Sequence, residues 1–110
     1  MARTGRAATT PGDIVNIVKD LEGGDVVTYD NGTGFSGYEA QVEDTETYNT
    51  YSGDVTSWVA FLRGPNNSKH VIMATEIKTT RPYQFEDYTV GVAGSASVTF
   101  ASLKRLEVVG

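Results

Sequence analysis

The hydrophobic period changes once, at Gly23-Gly24, and this limits what the chain can fold into. Before the change, residues 10–22 (TPGDIVNIVKDLE) predict a helix. Thr10 suits the N-cap and Pro11 the first helical position, and Asp13 lies three residues after the cap. Ile14, Val18 and Leu21 recur at helical spacing beside Ile17, with Val15 interrupting the polar face. The glycine pair is expected to stop the helix as a C-cap. After it the period is two. Val27 and Tyr29 share one face, and Tyr38, Ala40 and Val42 alternate with Glu39, Gln41 and Glu43. Such alternation predicts half-buried antiparallel strands.

Turn residues divide the rest. Asp30-Asn31-Gly32 is a strong hairpin signal. Residues 44–54 are polar and read as a loop. Residues 55–63 (VTSWVAFLR) are apolar on both faces and predict a central strand, with Trp58 and Phe61 facing opposite ways. Residues 64–67 predict a turn and residues 69–77 the returning strand. Residues 88–93 and 97–100 suggest another hairpin. Residues 101–105 read as a tight turn before a closing strand at 106–109. The expectation is a mainly β fold with one N-terminal helix. It is a small SH3-like or Sm-like β-barrel of about six or seven short antiparallel strands, because closure removes unpaired edges.

At 110 residues the chain has the length of one domain, with residues 10–110 as the barrel and 1–9 as a disordered basic arm. Nine basic and 14 acidic side chains give a net charge of −5. Arg3 and Arg6 fall in the first ten residues, which hold no acid, so the body is more acidic than the whole. An acidic body disfavours a broad grip on phosphate, while the arm can reach a polyanion or an acidic neighbour. The lysine-poor, acidic balance resembles proteins of salt-loving archaea or their viruses. Without cysteine there is no disulfide or thiolate site. No apolar run approaches the ~20 residues of a membrane span, and the first ten residues carry no apolar signal core. The expected location is cytoplasmic or virion-associated.

The stretch Val26 to Gly37, VVTYDNGTGFSG, with Leu62-Arg63-Gly64 and Asn66 further on, resembles the two signatures of Sm-like RNA-binding proteins. The first includes a G-x-x-F-x-G pattern, here Gly32 to Gly37. The resemblance implies a ring of subunits whose inner loops read a splayed base. Asp44 and Asn49 would hydrogen-bond the base, Tyr48 would stack on it, and Arg63 would support the pocket, with Asn66 nearby as a further candidate contact. Single-stranded RNA is read by such stacking and edge hydrogen bonds.

Other constellations point to solvated surface. His70 is the only histidine and has no partner for a zinc site. Glu43, Asp44 and Glu46 lack calcium-loop spacing. Gly91 and Gly94 form no phosphate-binding fingerprint. The sequence has no G-x-S-x-G elbow, metal set or cofactor loop, so neither an enzyme nor a small-molecule substrate is expected. SH3-like barrels gather aromatic residues into a shallow groove, and Tyr51, Trp58 and Tyr83 are the candidates here. Three non-catalytic functions follow: a module binding a protein partner or itself, a structural subunit of a viral particle, and an Sm-like nucleic-acid binder.

Overall fold

The computed structural model describes residues 3–30, 39–79, 85–94 and 100–110. Helix α1 spans Pro11–Asp20, with Thr10 extended at its N-cap. The Thr10 hydroxyl donates to Asp13 Oδ2 at 2.8 Å and accepts no backbone N–H of the helix. The helix also ends differently from the expected glycine C-cap. Leu21 turns to extended backbone, and its N–H bonds Val18 O. Leu21 is buried, so its side chain draws the exiting chain onto the core. Gly24 then adopts a φ of +100°, which favours glycine, and its N–H reaches Val42 O at 2.8 Å.

The strands among the described residues are β1 (Ala7–Ala8), β2 (Val26–Asp30), β3 (Glu39–Asn49), β4 (Val55–Arg63), β5 (Lys69–Thr79), β6 (Phe85–Gly94), β7 (Ala101–Ser102) and β8 (Arg105–Val108). The protein is therefore mainly β with one helix. All pairings are antiparallel, in the order β1-β8-β2-β3-β4-β5-β6-β7. Where a barrel of six or seven strands was expected, the sheet has eight among the described residues, and among them its ladder does not close. Two of the eight are two-residue strands that no periodicity can reveal. The expected 44–54 loop is also mostly strand, since β3 runs on to Asn49. The expected tight turn at 101–105 begins with β7. The hairpin glycines and the first signature's G-x-x-F-x-G stretch lie outside the described residues.

The sheet curls around the helix. Tyr29 of β2 and His70 of β5 approach edge to face at 6.1 Å, although β3 and β4 lie between them in the ladder. Leu103 and Lys104 bridge much of the remaining gap. The Leu103 N–H bonds Val90 O of β6, and the Lys104 N–H bonds Asp30 O of β2. One end of the molecule is thus nearly closed. Ile14, Val15, Ile17 and Val18 of α1 fill the concave side against Val27, Val42, Ala60, Leu62, Ile72, Val90, Leu106 and Val108. Val15 packs there too, because a helix inside a curled sheet buries more than one stripe.

The N-terminal residues do not form a loose arm over their whole length. Ala7–Ala8 pairs with β8, and the Gly5 N–H bonds Val108 O at 2.7 Å. Ala8 belongs to the core. Arg6 forms an ion pair with Asp20 at 2.6 Å, tying the segment to α1. Arg3 is exposed. No helix among the described residues is long and apolar enough to cross a membrane.

Candidate protein-binding face

The β3–β4 register decides how the predicted site residues sit. Gln41 faces Arg63, and Asn49 faces Thr56 at the other end of the hairpin. Arg63 and Asn49 are thus separated by seven residues of β4, roughly 23 Å at ~3.3 Å per residue. Tyr48, opposite Ser57, lies with Asn49 and is exposed. Asp44 lies nearer Arg63, opposite Phe61, where the register shifts at a β-bulge between Val42 and Asp44. Its Oδ1 accepts the Thr45 N–H at 2.8 Å. Arg63 donates to Gln41 Oε1 at 3.0 Å. The five residues do not converge on one base-sized pocket.

Asn66 is placed by the β4–β5 turn. Asn66 and Asn67 have φ of 57° and 60°, the left-handed region that asparagine tolerates and primed hairpin turns require. The Ser68 N–H closes the turn on Pro65 O at 3.1 Å. Ser68 Oγ donates to the same carbonyl at 2.8 Å and also lies 3.0 Å from His70 Nε2. A hydroxyl has one proton, and the carbonyl only accepts, so His70 Nε2 is the donor to Ser68. In this arrangement the pair fixes the turn and does not activate Ser68 as a nucleophile. Burial pushes the His70 imidazole below its ordinary pKa.

The aromatic candidates are also apart. Trp58 lies on the helix side of β4 and packs against the core edge. Tyr51 is fully exposed beyond the end of β3. Tyr83 lies outside the described residues. Glu43 does not join Asp44 and Glu46 in a cation site. It pairs with Lys69 at 2.8 Å, and this hydrogen bond holds its carboxyl below the usual range.

Residue-level reading of single strands missed a continuous surface. Alternation carries Ala60, Leu62, Ile72, Ala74, Val90 and Val92 to the helix side, so the intervening residues face the other way. Val59 pairs with Met73, Phe61 with Val71, and Val55 with Ile77; Val71 in turn pairs with Ala93. Val59 and Ala93 are buried and the others half-buried. Phe100, 41% exposed, lies on this outer face beside Gly91. A Cβ at Gly91 would stand only 3.0 Å from Phe100 Cβ, so the missing side chain lets Phe100 settle there. Met73, Thr75, Thr89, Gly91, Phe100 and Ser102 line a cleft of about 270 Å³. One polar pair, Ser57 and Thr75, bridges the apolar strip at 3.0 Å. The apolar character of VTSWVAFLR on both faces was the available signal. Its extent depends on how β5 and β6 align beside it.

No family model, curated protein or solved structure matches this chain.

Proposed function

We propose that this protein is a non-catalytic binding or assembly module that engages a neighbouring protein surface through the outer face of β4, β5 and β6. One observation carries the reading. The strip formed by the half-buried Phe61, Val71, Met73 and Ile77, seated on the buried Val59 and Ala93, lies opposite the helix, and among the described residues no helix or second sheet packs over it. Apolar sheet faces on both sides are the pattern of a sheet covered on both sides. Contiguous apolar surface of this kind marks interaction sites. Stable association needs roughly 1,000 Å² or more of buried surface, for which a three-stranded face with a cleft at its edge provides a suitable centre. A neighbouring copy is the simplest occupant.

Native mass by light scattering, in low and in multimolar salt, tests the reading. The expected result is a mass above the monomer for the natural chain. Met73→Glu, which puts a charge at the centre of the strip, is expected to return it to monomer with its melting temperature preserved. A natural chain that is monomeric under both conditions at high protein concentration overturns assembly through this face.

A further inference from the structure

β3 is longer than its partner on one side. β2 pairs only with Glu39, Ala40 and Gln41, and the last bonds on that side join Val42 to Gly24 and Asp25. A Cβ at Gly23 would stand 3.3 Å from Glu43 O, and the chain preceding it is the helix and its buried Leu21 exit. Residues 44–49 (DTETYN) therefore continue β3 with β4 on one side and, among the described residues, no strand on the other. Thr45 is half-buried and the other five are exposed. Alternate N–H and C=O groups along such an edge point away from the sheet, a template for another strand.

The side chains select what pairs there. Asp44 and Glu46 flank the edge on the outer face, and Tyr48 follows on the same face. Thr45, Thr47 and Asn49 alternate with them. Glu46 has no ion pair among the described residues. A further open edge among the described residues, 85–89 of β6, is also acidic, with Glu86 and Asp87 exposed. Edge-to-edge pairing of two copies would set these carboxylates against Asp44 and Glu46, and like charges facing across strands are destabilising. The charge thus disfavours pairing of these two edges between copies and favours a cationic strand.

We propose that residues 44–49 of β3 accept an added strand from a partner protein, an extended segment with Lys or Arg on alternate residues. Backbone hydrogen bonds hold it, Asp44 and Glu46 pair with its cations, and Tyr48 packs against its next outer-face side chain. Strand addition of this type draws affinity from the main chain and selectivity from alternate side chains. The inference rests on the reading of the protein as a binding module, but uses a different surface from the outer strip.

The test uses the full chain and a synthetic peptide of alternating Lys and Val, with a twin carrying Glu in place of Lys. The Lys peptide is expected to bind and to weaken as salt is raised. The outward amides of Thr47 and Asn49 are expected to gain protection from hydrogen exchange, whereas that of Thr45 already bonds Asp44 Oδ1. Asp44→Lys with Glu46→Lys should weaken the Lys peptide by about tenfold and favour the Glu peptide. A Lys peptide N-methylated on alternate residues should lose binding, because it cannot complete the ladder. The proposal is overturned if the Lys peptide does not bind at millimolar concentration, if the charge-reversed protein binds it equally well, or if protection appears away from residues 45–49. Met73→Glu should leave peptide binding unchanged. Failure of outer-face assembly therefore shows in the mass measurement, and failure of strand addition shows in the peptide titration.

Discussion

Lys19 Nζ lies 4.7 Å from the centre of the Trp58 ring and 2.9 Å from Glu76 Oε2. The three residues come from α1, β4 and β5 and pin the helix where these strands run past the core. A cation over an indole face contributes about 0.5–1 kcal/mol when partly exposed, and a solvent-screened ion pair adds about 0.2–1 kcal/mol. Lys19→Ala is therefore expected to cost about 1 kcal/mol in urea unfolding. A double-mutant cycle with Trp58→Leu should show coupling, and purely additive losses would show that the contact stabilises nothing.

The N-terminal segment is expected to matter for stability. Deleting residues 1–8 removes the Ala7–Ala8 ladder, the bonds of Gly5 and Arg6 to Val108, and the Arg6–Asp20 pair. At about 1 kcal/mol net per hydrogen bond, partly offset by the ordering entropy released, a loss of about 2 kcal/mol is expected. That corresponds to a fall of roughly 10 °C in melting temperature. An unchanged melting temperature would show that β1 contributes nothing to the fold.

His70 gives stability a pH dependence with a definite sign. Burial beside Tyr29 lowers its pKa in the folded protein below the ordinary 6.5. The unfolded chain then takes up the proton first, so acidification favours unfolding. The stability is fully present above pH 6.5, falls as pH drops through 6.5 towards the lower folded value, and is constant below that. His70→Gln should remove this component from unfolding midpoints measured between pH 7.5 and 5. An unchanged pH profile in His70→Gln would rule it out.

Asn66 distinguishes a turn role from a base-reading role. A β-branched side chain in the left-handed region is strained, so Asn66→Val is expected to cost about 1–2 kcal/mol. Asn66→Gly should be close to neutral, because glycine adopts positive φ readily. Equal stability of the two variants in denaturant titrations would refute the turn assignment.

The sequence alone determined the elements whose signals are local. Thr10-Pro11 and the spacing of Ile14, Ile17, Val18 and Leu21 marked α1. Alternation marked β2 and the first half of β3, and the 64–67 turn fixed the β4–β5 hairpin, so that β4 was read at its observed bounds. These signals arise within one or two turns of chain, where backbone geometry and side-chain period suffice. Tertiary structure decided the rest. Ala7–Ala8 is strand only because β8 offers it an edge, and polar residues 44–49 are strand only because β4 pairs with them. Val15 is buried because the sheet curls over the helix. The register of one hairpin sets Arg63 far from Asn49. Such outcomes come from pairings between residues distant in sequence, and periodicity within a segment does not encode which partner it meets.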